Sequence, residues 1–285
     1  MLGPRDLVLC AGTVGRASFE DHIAAAVAGG FQGISLYATE YQRARSSGLS
    51  DADMKQMLDD HGLEIGELDP LMNWVPSAAL GQEATEEGTG FFGATEADFY
   101  AIAQALGARS INAVLFTDAR IETQKIAADF AALCGRAAGH DLLVHLEFLP
   151  WTQIPDLASA LAIVELADQP NGGVMFDSWH HFRSNAEAES LSKAPVKRIL
   201  AVQLNDAPRE PQADLIEETL HGRLLPGAGE IDLAAILAWL REGGSQVPIG
   251  VEVFSDELAE LPAEEVGRRA GDAARAVIAR TEPSG

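Results

Sequence analysis

The chain has 285 residues, 47% of them hydrophobic, so it can bury a large core, and its formal net charge is -23. A chain this acidic repels phosphate backbones unless it holds a concentrated basic patch, and no such patch is evident, so nucleic acid is not an expected partner. No stretch reaches the roughly 18 apolar residues that a membrane span requires. Residues 1–6 lack a basic region followed by an apolar run, so no signal peptide is expected. Cys10 and Cys134 are expected to be reduced, as in a cytoplasmic protein.

Short apolar runs alternate with helical segments along the chain. Ser18, Ser50 and Thr95 are predicted helix caps. Eight strands are predicted, at 7–11, 31–36, 63–68, 110–116, 142–148, 174–177, 199–204 and 249–254. Helices are predicted at 19–28, 51–60, 95–106, 121–138, 154–167, 185–191, 231–240 and 262–280. Such alternation indicates an α/β barrel or a doubly wound sheet, and eight units favour one single-domain (β/α)8 TIM barrel over residues 1–285.

Two long loops interrupt this alternation. Residues 69–95 follow the third strand and contain Trp74 and an acidic run at 83–87, and residues 205–229 follow the seventh strand. Loops of this length in a compact domain are usually functional or mobile. We therefore expect 69–95 to form a lid over the mouth of the barrel, with a disordered insertion as the alternative.

Four of the apolar runs carry a metal-ligand type of side chain at or near their ends. These side chains are Glu147, Asp177, Gln203 and Glu252, on strands five to eight. A buried charge needs a partner, and the strand ends of a barrel converge on one face, where active sites lie. We predict that the four surround one divalent ion, with an interior salt-bridge network as the alternative. Their oxygen-rich set favours Mg²⁺ or Mn²⁺ over Co²⁺ or Zn²⁺.

Three histidines lie next to these strand ends. His180 is one helical turn past Asp177, so we expect it to contact substrate or to support a ligand. His181 points elsewhere and is expected to be structural. His145 lies two residues before Glu147, so strand alternation places both on the interior face, with a hydrogen-bonded core histidine as the alternative.

Further candidates for substrate binding lie in the loops. Arg209 can hold a carboxylate or phosphate by paired hydrogen bonds, or it is an exposed loop arginine. Asp206 orients a ligand or caps a turn. Trp74 and Trp179 are candidates for an apolar wall beside the substrate, with core packing as the alternative for Trp179.

Several short motifs, in their order along the chain, resemble the xylose-isomerase-like TIM barrels. They include Ala-Gly-Gly-Phe-Gln-Gly-Ile (28–34), His-Leu-Glu-Phe (145–148), Phe-Asp-Ser-Trp-His (176–180), Val-Gln-Leu-Asn-Asp-Ala-Pro (202–208) and Val-Glu-Val-Phe (251–254). This group contains sugar isomerases and epimerases, inosose dehydratases, dehydroshikimate dehydratases and endonuclease IV. The resemblance covers nearly the whole chain and is specific for the superfamily, but not for one reaction.

The resemblance implies a function as well as a fold. Glu147, Asp177, Gln203 and Glu252 would hold the ion, and Glu147 and Glu252 would also act as acid and base. The expected activity is an isomerase or epimerase that acts on a small polyhydroxylated ketone or aldehyde by proton transfer through an enediolate. The alternative is a dehydratase of the dehydroshikimate or inosose type, because Gln203 stands where the epimerases usually have histidine. An endonuclease IV-like enzyme is a remote alternative, and barrels of this kind often form homodimers.

Overall fold

The structure is a computed structural model that describes residues 1–78, 93–184, 191 and 193–281. Within these residues, eight parallel strands form a closed barrel, in which each strand pairs with its neighbours in sequence and β8 pairs with β1. The strands are β1 (Leu7–Leu9), β2 (Gly33–Tyr37), β3 (Glu64–Leu71), β4 (Ser110–Val114), β5 (Leu143–Glu147), β6 (Gly172–Asp177), β7 (Ile199–Leu204) and β8 (Ile249–Val251). The predicted TIM barrel is therefore confirmed.

Helices cover the outside of the barrel. They are α1 (Ala11–Val14), α2 (Phe19–Gly29), α3 (Ala38–Ser46), α4 (Asp51–His61), α5 (Glu96–Leu106), α6 (Thr123–Ala138), α7 (Leu157–Ala167), α8 (Ser178–Arg183), α9 (Leu215–His221), α10 (Leu233–Glu242), α11 (Asp256–Ala259) and α12 (Ala263–Thr281). In the part of the chain that the structure describes, no helix combines the length and the apolar character that crossing a membrane requires.

The helix ends follow local sequence signals. Ser50 begins α4 with a capping box, because its hydroxyl accepts from the Asp53 backbone while the Asp53 carboxylate accepts from the Ser50 backbone. Gly62 ends the same helix with a φ of 65°, a conformation that L side chains rarely adopt. The predicted cap at Ser18 is also present, since its side chain accepts a hydrogen bond from the backbone of Asp21.

The strands carry apolar side chains toward the helices and polar ones toward the barrel axis. In β5, Val144 and Leu146 are fully buried in the hydrophobic core together with Phe130 of α6. His145 and Glu147 alternate with them and hydrogen-bond inside the barrel. This period of two is what brings ligand-type side chains to the axis.

The two long segments differ from the predicted loops. β3 runs on to Leu71, and residues 79–92 of the expected lid lie outside the described residues, so the lid stays a prediction. The 205–229 segment contains α9 and pairs Asp206 with Leu224 and Gly222 with Ser255. It is therefore a folded unit and not an irregular loop. Most of the helix predicted at 185–191 lies outside the described residues, whereas α3 and α8 were not predicted.

Candidate metal centre

Three ligand-type side chains meet at the carboxyl ends of β5 and β6. Glu147 ends β5, Asp177 ends β6, and His180 lies in the first turn of α8. Each offers one ligand atom, and these atoms lie within 4.8 Å of one another. His180 Nε2 is 3.4 Å from Glu147 Oε1, and all three side chains are buried. A divalent ion placed among these atoms would balance the negative charge of the two carboxylates.

Arg223 joins Glu252 to this cluster. Its Nη1 donates to Asp177 Oδ2 at 3.0 Å and to Glu252 Oε2 at 3.2 Å, and its Nη2 lies 3.3 Å from His180 Nε2. Thr219 fixes the guanidinium, because its carbonyl accepts from Nε at 3.0 Å and its hydroxyl accepts from Nη2 at 2.7 Å. The structure therefore brings Glu147, Asp177, Glu252 and His180 together.

Gln203, the fourth predicted ligand, lies beside Asp177 because these two residues are register partners in β6 and β7. The side chain is fully buried, and its Nε2 donates to Glu67 Oε1 at 3.2 Å. Its Oε1 has no hydrogen-bond partner among the described residues. A buried acceptor without a partner destabilises the folded protein by about 1–3 kcal/mol. A bound cation would give this oxygen a partner, so Gln203 Oε1 is suited to be a metal ligand.

Two acids of β3 were missed by the sequence argument. Glu67 and Asp69 are buried, and Asn112 of β4 links Asp69 to the centre, since its Nδ2 donates to Asp69 Oδ1 at 2.8 Å and to Glu147 Oε2 at 2.6 Å. The sequence does contain a signal for them, because the third apolar run, like the later ones, ends in acids at alternate positions. Asn112 therefore orients Glu147 and leaves its other oxygen beside His180.

If all five buried acids of the barrel mouth were ionised, they would carry more negative charge than the bonded cation can balance. Burial raises the pKa of Glu67 to about 7 and raises the pKa values of Asp69 and Glu252 well above their ordinary range, although the Arg223 guanidinium acts to lower the pKa of Glu252. Among the described residues, Arg223 is the one guanidinium that hydrogen-bonds to these carboxylates. The acids are Glu67, Asp69, Glu147, Asp177 and Glu252. A salt-bridge network with one arginine does not neutralise five acids, so the donor set fits a hard divalent cation.

His145 and His181 have structural environments. His145 Nδ1 lies 3.0 Å from Asn112 Oδ1 and its Nε2 lies 3.0 Å from Ser110 Oγ, while burial lowers its pKa to about 3. His181 packs against Phe176 with ring centroids 5.0 Å apart, and burial lowers its pKa as well. His145 therefore supports Asn112 from beneath the centre as a neutral ring.

The two predicted tryptophans of the substrate wall both have core partners. Trp74 is buried, its indole Nε1 donates to the Val114 carbonyl at 2.9 Å, and its ring lies edge-on to Phe130 at 5.9 Å. Trp179 is fully buried, and its Nε1 donates to Glu218 Oε1 at 3.1 Å. The structure does not bring Trp74 to the centre, because the chain after β3 turns its ring toward α6.

The structure also gives Asp206 and Arg209 other partners. Asp206 accepts backbone hydrogen bonds from Ile231 at 3.0 Å and Gly227 at 2.9 Å, so its carboxylate holds the 205–229 segment together. Arg209 pairs with Glu230 at 3.2 Å, and its side chain is 73% exposed. Neither joins the cluster, because Asp206 faces its own turn and Arg209 extends into solvent.

Trp151, in the loop after β5, is a site residue that the sequence argument missed. Its ring lies edge-on to His180 at 5.6 Å and to Trp179 at 6.2 Å. Its buried Nε1 has no hydrogen-bond partner among the described residues. An indole N–H beside His180 suits a hydroxyl-rich ligand, but no local sequence pattern distinguishes Trp151 from an ordinary loop tryptophan.

A buried ion pair attaches the 205–229 segment to α8. Arg183 donates to Glu218 Oε1 at 2.7 Å and to the Pro208 carbonyl at 2.8 Å. Both charged side chains are almost fully buried. The pair fixes α9 and, through Thr219, the position of Arg223.

Comparison with known proteins identifies relatives of known activity. A family model described as Xylose isomerase-like TIM barrel matches residues 23–277. A 3-dehydroshikimate dehydratase of Pseudomonas aeruginosa is 34% identical over 146 residues, which are 51% of this chain and 23% of that protein. An inosose isomerase of Bacillus velezensis is 32% identical over 184 residues, which are 62% of this chain and 65% of that protein. The chain thus spans less than two thirds of the length of either relative.

Solved structures share the fold. The crystal structure of the IOLI protein with a bound zinc atom superposes with a TM-score of 0.84 and 22% identity, covering 97% of this chain and 99% of that one. At this identity the likeness establishes the barrel architecture alone.

Proposed function

The chain belongs to the xylose isomerase-like TIM barrel family, and on that basis we propose that it is a divalent-metal-dependent isomerase or epimerase of a small polyhydroxylated ketone or aldehyde. One observation carries the proposal: ligand atoms of Glu147, Asp177 and His180 lie within 4.8 Å of one another at the carboxyl ends of the barrel strands. The inosose isomerase relatives support the same class of substrate.

The proposed metal ligands are Glu147, Asp177, Gln203 and Glu252, and His180, whose ligand atom belongs to the same close cluster, is the alternative ligand. When bound, the ion supplies Lewis acidity that stabilises negative charge on a carbonyl oxygen. Oxygen donors of this kind suit Mn²⁺ or Mg²⁺, and the zinc atom in the IOLI structure makes Zn²⁺ an alternative to be measured.

Glu147 and Glu252 are the proposed acid and base. They come from β5 and from the end of β8, so they approach a substrate from different sides of the barrel. Asn112 holds one oxygen of Glu147, and Arg223 holds one oxygen of Glu252, which leaves the second oxygen of each to accept or return a proton. His180 lies between Glu147 and Arg223, and this position supports a role in contacting a substrate hydroxyl.

A dehydratase is the second candidate, and Gln203 favours it. An amide at this position is the feature in which the chain differs from the sugar epimerases, and the 3-dehydroshikimate dehydratase relative supports this reaction. Both reactions begin when a carboxylate removes a proton next to a carbonyl. They differ in whether the resulting enolate is reprotonated on carbon or expels the β-hydroxyl, which would leave as water after taking a proton from the second glutamate.

The test uses purified protein saturated with Mn²⁺ and a panel of inososes, ketohexoses and 3-dehydroshikimate in D₂O. Proton NMR reports deuterium entering the carbon next to the carbonyl, as well as the product formed. An isomerase gives a rearranged sugar, and a dehydratase gives a conjugated product that absorbs in the ultraviolet. Metal-stripped protein is the control. If metal-saturated protein exchanges no substrate proton with any member of the panel, the proposal fails.

A further inference from the structure

The amide of Gln203 has one satisfied end and one unsatisfied end. Its Nε2 donates across the barrel interior to Glu67 Oε1 at 3.2 Å, so a residue of β7 is tied to a residue of β3. Its Oε1 is buried and without a hydrogen-bond partner in the described part of the chain. The two ends of an amide have almost the same shape, so shape alone does not decide which of them faces a bound ion.

Glu67 removes this ambiguity. When Glu67 is ionised, its carboxylate only accepts hydrogen bonds, so it attracts the NH₂ end of the amide and repels the oxygen end. Rotation of the Gln203 amide by half a turn would place its oxygen against Glu67 Oε1, at about the distance of the present hydrogen bond. The same rotation would turn the N–H groups of the amide toward the cation. Either consequence opposes metal binding.

Glu67 is itself held on a rigid part of the barrel. It lies within β3, where it pairs with Ser35 of β2, and it is buried. The Cys10 thiol donates a weak hydrogen bond to its Oε1 at 3.8 Å, and His145 Nε2 lies 3.7 Å from its Oε2. The strand and the burial of Glu67 limit the positions that its carboxylate can take, so it can orient an amide in turn.

We propose that Glu67 is a positioning residue of the metal centre, which orients the Gln203 amide so that its carbonyl oxygen faces the ion. This inference rests on the proposed metal-dependent function. Glu67 does not touch the ion in this role; it acts through Gln203. Partners of this kind typically contribute about 10–100-fold to metal affinity.

The experiment is a calorimetric Mn²⁺ titration of metal-stripped protein. Glu67→Leu removes the acceptor at similar volume, and Glu67→Gln keeps an acceptor, because the new amide can turn its oxygen toward Gln203. We expect Glu67→Leu to weaken Mn²⁺ binding by about 10–100-fold and Glu67→Gln to retain most of the affinity. Heat unfolding of each metal-free variant confirms that the barrel remains folded.

A double-variant cycle separates positioning from a general effect. In a Gln203→Leu background there is no amide to orient, so Glu67→Leu should change Mn²⁺ affinity by less than about threefold. The inference is overturned if Glu67→Leu binds Mn²⁺ as the unmodified protein does, if it loses the same factor in both backgrounds, or if Glu67→Gln fails as badly as Glu67→Leu. If the unmodified protein binds no Mn²⁺, the proposed metal-dependent function is itself rejected, and the inference falls with it.

Discussion

Replacing Arg223 with methionine tests how the charges of the site are balanced. Arg223 Nη1 bonds to Asp177 and Glu252, at 3.0 and 3.2 Å, and these side chains are no more than 5% exposed. Methionine keeps much of the length and apolar contact of arginine but removes its charge. The variant therefore leaves two buried carboxylates without their cation.

The expected loss is large because the pair is buried. Removing one partner of a buried ion pair costs about 3–5 kcal/mol. For a domain of this general size, each kcal/mol corresponds to roughly 2–4 °C in Tm, so metal-free Arg223→Met should melt on the order of 10 °C below the unmodified protein. Since a bound cation would neutralise the same carboxylates, saturating Mn²⁺ should raise the Tm of the variant more than that of the unmodified protein.

The assay is thermal unfolding with and without Mn²⁺, and Arg209→Met is the matched control. The Arg209–Glu230 pair is exposed at 73% and 55%, so its removal should cost at most about 1 kcal/mol. Equal melting of the two metal-free variants would refute the charge argument. If Mn²⁺ raises the Tm of Arg223→Met and of the unmodified protein equally, then Arg223 and the ion do not neutralise the same carboxylates.

Three further predictions concern the proposed catalytic acids, the choice of metal and the thiols. Glu147→Gln and Glu252→Gln should each lower turnover by ~10²-fold or more at matched metal content, and a metal-replete double variant with near-normal turnover would rule out their role. Gln203→His should shift the preference from Mn²⁺ toward Zn²⁺ in a competition titration, because imidazole nitrogen is a softer donor. Cys10 and Cys134 are free and buried, and burial raises the pKa of both thiols, that of Cys134 to about 12. Thiol reagents should therefore label neither cysteine before the protein unfolds.

The fold could be read from the sequence because its signals are local. The strand predicted at 199–204 matches β7, Ile199–Leu204, and the other seven predicted strands overlap those observed. Each strand is a short apolar run between turn residues and helices, so no long-range contact is needed to recognise it. The same local rule found Glu147 and Asp177, which end their strands.

The site was harder to predict where the chain folds back on itself. The sequence favours Arg209 as the basic residue of the site, because it follows β7 closely. In the structure, Asp206 pairs with Leu224, so the segment returns to the barrel mouth and delivers Arg223 there instead. Arg223 meets Asp177 and Glu252 from 46 and 29 residues away, a relation that only the folded segment creates. Sequence distance to a strand end is therefore a poor guide within a long loop.

The charge balance of the barrel mouth connects its stability to its chemistry. A core made for stability alone would not gather five carboxylates, because their burial and mutual repulsion destabilise the folded chain. Hydrogen bonds from Asn112, Arg223 and Gln203 stabilise these carboxylates, and in Glu147 and Glu252 they occupy one oxygen and leave the second for other partners. A divalent ion would offset the remaining charge while holding the carboxylates in fixed positions. Metal binding should thus stabilise the fold and assemble the catalytic groups in the same step, so residues that orient the ligands, such as Glu67, affect both.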